Sequence, residues 1–211
     1  IFNTLRETIT SIKDIFYAAE NEKEKTESLA KKKGLSNNKT TPEALPAYIA
    51  DSSIKLFENL DIFSKNELHT RYRIDLDEYT SCIQIESRTL GDLAQNHIIP
   101  TAIKYQNVLI ENVKGLKEIY GAVYKEHARE QILILERISN HIAEINSGIF
   151  AMVEARKKAN VIQDAHKKAL AYCETILPFI STIRYHCDKL ELTVDDEIWP
   201  LAKYRELLFI R

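Results

Sequence analysis

Apolar residues recur along most of this chain at gaps of three and four, the spacing that gathers them on one side of an α-helix. The first stripe is Leu5, Ile9, Ile12, Ile15, Phe16 and Ala19, which predicts a helix from Ile1 to about Ala19. A charged stretch, Glu20 to Lys33, follows, and then a connector, Gly34 to Leu45. The connector ends in a helix-start signature, with Thr41 as N-cap and Pro42 as the first helical residue, where a missing N–H does no harm. A second helix is expected from Pro42 to about Asn59 on Leu45, Ile49, Ile54, Leu56 and Phe57, with Pro46 positioned to set back its start. Asp61 to Ser64 reads as a turn, and Ser64 with Glu67 as a capping box.

From that box a long helix is expected. Tyr72, Leu76, Tyr79, Ile83, Glu86, Leu90 and Leu93 keep a strict rhythm of four and three, the seam of a coiled coil. Pro100 interrupts it, and the stripe resumes at Ile103, Leu109, Val113, Leu116 and Tyr120. A proline inside a helix removes one hydrogen bond, so a bend or a boundary is expected there. A third long segment carries Ile132, Leu135, Ile138, Ile142, Ile145, Ile149 and Met152. The fourth carries Ala169, Cys173, Ile176, Ile180, Ile183, Cys187 and Leu190, with Pro178 marking a second kink. Narrow seams with charged backs imply an all-α fold, an elongated antiparallel bundle of long helices. The division is residues 1–41, a helix and charged connector, and residues 42–211, the bundle. The tail is unlike the rest: Trp199, Tyr204 and Phe209 lie in a largely apolar terminus. Aromatics of that size are expected to dock, on this bundle or on another chain.

Composition narrows the class further. Among 211 residues there are five glycines and five prolines, too few for a sandwich, a barrel or Gly-rich phosphate loops. A net charge of −2 gives no basis for electrostatic capture of nucleic acid or acidic membranes. No run of about 18 apolar residues is long enough to span a bilayer. Cys82, Cys173 and Cys187 are odd in number and widely spaced, which suits a reducing cytoplasm better than a disulfide framework. The chain starts at Ile1 and holds one methionine, Met152, which suggests a stretch cut from a longer protein.

The residues that could carry chemistry do not assemble on paper. His69, His97, His127, His141, His166 and His186 include no pair three or four apart, and no glutamate is followed by a histidine at the third position, so neither a two-histidine metal face nor a di-iron pattern forms. His97, the step after Leu93, is expected at the core edge, bonded to a carbonyl. Glu86, an acid on an apolar seam, is expected to pair with a cation on a neighbouring helix or to sit at a bend, since a buried unpaired charge is costly. Cys173 and Cys187 read as small buried groups. No catalytic, cofactor-binding or metal-binding residue is assigned.

Several strings then gain meaning together: GLSNNKTTPEALPAY, IKLFENLDIFSKNELHTRYRIDLDEYTSCIQIESRTLGDLAQNHIIPTAIKYQ, and ILPFISTIRYHCDKLELTVDDEIWPLAKYRELLFIR. In this order they resemble the C-terminal end of type III glutamine synthetases, large bacterial enzymes with a helical extension after the catalytic domain. The resemblance runs from about Lys32 to Gln106 and from Ile176 to Arg211. Ser87 stands where the family tends to have Ala, and Leu201-Ala202 where it tends to have an aromatic or aliphatic residue and Pro. The resemblance implies a parent that ligates ammonia to glutamate through a γ-glutamyl phosphate, using ATP and Mg²⁺ or Mn²⁺ held by a catalytic domain. None of the family's catalytic motifs match this chain, so the implication is an inert helical portion that packs on its own catalytic domain or on neighbouring subunits of a homo-oligomer. The other readings are a freestanding helical interaction module and a helical enzyme in its own right.

Overall fold

A computed structural model describes residues 2–12, 28, 32, 34 and 36–208. The expectations for Ile15, Phe16, Ala19, Phe209 and nearly all of the Glu20–Lys33 stretch lie outside the described residues. The chain divides into two units, Ile1–Ala44 and Leu45–Arg211. Among the described residues there are helices and turns and no strand.

In the first unit, α1 spans Phe2–Ile12. A single turn, α2, spans Thr41–Ala44. Its cap sits one residue earlier than the sequence suggests: Glu43 Oε2 accepts from the Thr40 amide at 3.1 Å and from its hydroxyl at 2.9 Å. Thr41 is therefore helical, and Pro42 follows it.

The second unit opens with a 3₁₀ segment, Leu45–Ile49, and continues as α3, Asp51–Asn59. The single helix expected over 42–59 is thus split, since Pro46 tightens the chain into 3₁₀ form and Ala50 is extended. Asp61 adopts a positive φ of 52°, which a short polar side chain tolerates, and turns the chain toward Ser64. The Ser64–Glu67 box forms as expected: the Glu67 carboxylate accepts from the Ser64 amide and hydroxyl, each at 2.7 Å. Those bonds hold the Glu67 carboxyl below its ordinary range.

Three long helical runs make the core. The first joins α4, Lys65–Leu93, a π-helical turn at Ala94–Ile98, and α5, Ile99–Tyr120. Gly121, at φ 56°, ends it in a conformation that side chains resist. After α6, Tyr124–His127, the second run is α7, Arg129–Asn160. The third joins α8, Ala165–Ala171, a π turn at Tyr172–Ile176, and α9, Leu177–Glu191. Asp164 caps α8 by accepting from the Lys167 amide at 2.8 Å. Gln106 on α5 reaches Ser139 on α7, and Tyr72 on α4 faces His166 on α8. The first and third runs are therefore parallel, with α7 antiparallel between them, an up–down–up bundle.

Both prolines expected to kink a helix follow a π turn by two residues. Ile99 N–H donates to Ala94 C=O, and Leu177 N–H to Tyr172 C=O, each skipping one carbonyl further back than an α-helix does. The widened turn accommodates a ring that would otherwise press on the carbonyl four residues earlier. The helix continues through each proline without a boundary.

The extra residue also rotates the buried stripe. In α4 the buried positions are Leu68, Leu76, Thr80, Ile83, Ser87 and Gly91, and the line continues through Ala94 and Ile98. Glu86 and His97, placed on the seam by the heptad rhythm, are exposed, as is Ile103. In α7, Ile138, Ile145, Ile149 and Met152 are buried as expected, and so are Ile176, Ile183, Cys187 and Leu190 in the third run. Each fully buried Leu or Ile contributes roughly 1.5–3 kcal/mol. A second cluster, Leu45, Leu76 and Ala169 with Tyr72, Tyr79 and Ala165, closes the end where α8 begins.

The tail docks. Val194 is buried, and Trp199 and Leu201 pack half-buried on the main core. Lys203, only 15% exposed, donates to the Glu191 carbonyl at 2.8 Å, pairs with Asp196, and lies 5.9 Å from the Trp199 ring centroid. Helix α10, Tyr204–Leu207, follows.

Candidate functional site

Three groupings of polar side chains are worth building up from their helices. The first lies where α4 starts. Open depressions of about 440 and 470 Å³ there are lined by Glu58, Asp61, Glu67, Arg71 and Asp75, among others. Two of these carboxylates hold the backbone: Glu67 completes the cap, and Glu58 accepts from the Lys65 amide at 3.3 Å. Arg71 lies over the Phe63 ring, 4.4 Å from its centroid. This is the chemistry of a fixed helix entry.

The second grouping is a polar seam inside the bundle. Tyr172, buried three residues after Ala169, donates its hydroxyl to Asn160 Oδ1, 2.7 Å away. Ser87 donates to the Gln84 carbonyl at 2.9 Å and receives a long contact, 3.5 Å, from Arg156. Burial above all, and then the neighbouring Cys173 thiol, raises the Tyr79 phenol from its ordinary value. Burial likewise raises Tyr172, against the pull of Arg156 and Arg88. Cys187, buried, has its thiol pushed up to about 12, so it is a protonated packing group. Cys173, expected to be buried like Cys187, is only half-buried on the same run.

The third grouping escaped sequence reasoning. His141 on α7 and His186 on α9 face each other with Nδ1 atoms 2.9 Å apart. They stand 45 residues apart, so no local spacing links them. The available signal is indirect: each directly precedes a seam residue, Ile142 and Cys187, on helices that pack antiparallel. Tyr185 meets His186 edge-on at 5.2 Å. Burial first, then the charges of His186, Lys189 and Arg137, holds His141 below its ordinary value. Of the other histidines, His69, His97 and His127 are exposed, and His127 stacks on Tyr120 at 3.9 Å.

Among the described residues no three of His, Cys, Asp and Glu gather as metal ligands. Nor is any described helix long and apolar enough to cross a membrane.

Comparison with known proteins adds the context these groupings lack. Residues 1–117 match the family model described as the glutamine synthetase C-terminal domain. The chain is 41% identical, over its whole length, to a glutamine synthetase of Bacteroides fragilis, of which it covers 29%. It is 30% identical over 87% of its length to a type-3 glutamine synthetase of Dictyostelium discoideum, covering 25% of that protein. A glutamine synthetase of Butyrivibrio fibrisolvens is 26% identical over 97% of the chain, which again covers 29% of it. The chain thus spans between a quarter and a third of the length of these relatives.

Proposed function

The chain belongs to the family of glutamine synthetase C-terminal domains, and from that premise we propose that it is the non-catalytic helical portion of a longer type III enzyme of the cytoplasm. In this reading ligation of ammonia to glutamate, with ATP and divalent ions, is performed by residues outside this chain. The bundle serves as a packing piece, set against its own catalytic domain and against neighbouring subunits of a homo-oligomer.

The observation that carries the reading is apolar surface left uncovered on otherwise well-packed helices. Phe150 on α7 is 67% exposed and Ile85 on α4 is 64% exposed, with Ile74 on the same outer face of α4 as Ile85. On α1, Phe2, Leu5 and Ile9 form an exposed stripe. Single exposed apolar residues are ordinary, but large ones repeated on one outer face favour a partner surface.

The test compares the full-length enzyme with a version lacking residues 42–211, by sedimentation and by ligation rate. The expected result is a smaller particle, with the separately made bundle binding back to the truncated enzyme. An assembly of unchanged size that ignores the added bundle would refute the role.

A further inference from the structure

His141 and His186 join α7 to α9 within the bundle. We propose that the pair is a proton-operated latch between α7 and α9, closed when the two rings share one proton and opened when each carries its own. At Nδ1–Nδ1 2.9 Å, one nitrogen donates and the other accepts. With both rings charged, both nitrogens are donors, the bond is lost, and two cations stand at hydrogen-bond distance.

The surroundings do not relieve that repulsion. On α7 the charged neighbour is Arg137, and on α9 it is Lys189, which lies over the Tyr185 ring at 5.2 Å. On α5, Gln106 is engaged with Ser139, and Lys104 is exposed. Of the acids, Asp188 pairs with Arg184 at 3.8 Å and Asp196 of the tail is paired with Lys203, while Glu144, one turn after His141 on α7, is exposed to solvent that screens its charge. Both rings are half-buried, so water screens them only partly.

The direction of the response follows from linkage. The folded protein takes up the second proton less readily than the unfolded chain does, because burial and the facing cations depress His141. The stability contributed is complete above the ordinary histidine value of 6.5 and is lost as pH falls below it. The α7–α9 contact, with the docked tail beyond α9, is the part that loosens.

Two measurements on the 211-residue chain decide the matter. In the first, the ring protons of His141 and His186 are followed by NMR from about pH 8 to about pH 5. A latch gives titrations that depend on each other, and His186→Gln moves the His141 midpoint upward. In the second, thermal midpoints are taken at about pH 5 and about pH 8 for wild type and His186→Gln. The wild type should drop further than the variant by at least about 2 °C, a resolvable shift for a domain of this size. Equal drops would overturn the proposal. So would two rings that titrate independently near the ordinary value in the wild type, a result that stands even if the variant does not fold.

Discussion

Helix α7 has two packing faces, and they are built differently. Toward α4 it meets Ser87 and Gly91, and a methyl group added at Gly91 would stand 3.9 Å from both Ile149 and Met152, ordinary contact distance. Toward α9 it presents Gly148, where an added methyl would lie 3.0 Å from Ile183 Cγ1. One interface keeps room for a side chain and tolerates polar guests such as Ser87. The other brings backbone and side chain as near as they can come, and holds the histidine pair beside it. The bundle is therefore locked on the α9 side and adjustable on the α4 side.

Substitutions can break or sharpen that contrast, each read by urea unfolding at constant m. The largest effect is expected at the locked face, where Ile183→Ala should cost about 2–5 kcal/mol through lost burial and a residual cavity. Gly148→Ala comes next. Alanine gains about 1 kcal/mol in helix propensity, but overpacking against a stiff, β-branched Ile183 costs about 1–3 kcal/mol, so a net loss is expected. Gly91→Ala should do the reverse and stabilise by up to about 1 kcal/mol, since the propensity gain meets no clash. Opposite signs for the two glycines are the sharpest check; equal signs would end the distinction. The smallest change is expected for Ser87→Ala, within about 0.5 kcal/mol, because the hydroxyl's link to Arg156 is long and its other bond is to its own helix.

The same contrast explains what could be read in advance. The seams of α7 and α9 were legible because they are lined by Ile, Met, Cys and Leu, which mark an inward face by hydropathy alone. The inward face of α4 was legible only as far as Ile83. Beyond it the buried residues are Ser87, Gly91 and Ala94, small groups that hydropathy does not flag, while Leu90 and Leu93 beside them are only half-buried. The π turn then adds a residue per turn, so counting forward from Leu93 lands on exposed His97 in place of buried Ile98. The Ser64–Glu67 cap was legible because its chemistry is local. The His141–His186 pair was not, because it depends on which helices become neighbours. Family membership was legible from strings such as TTPEALP and the ending that carries Trp199, which owe nothing to periodicity.

Lys203 gives the C-terminal segment a property that no helix in the bundle has alone. Its ammonium group binds the Glu191 carbonyl at the last residue of α9, pairs with Asp196, and lies 5.9 Å from the centroid of the Trp199 ring that packs on the core. Fraying of the α9 terminus and departure of the tail are consequently coupled through this side chain, beside the packing of Val194, Trp199 and Leu201. Lys203→Met, which keeps the stem and deletes the donor, should make amide exchange in 188–194 and protease nicking in 195–202 rise together; if only one rises, the two segments come undone separately.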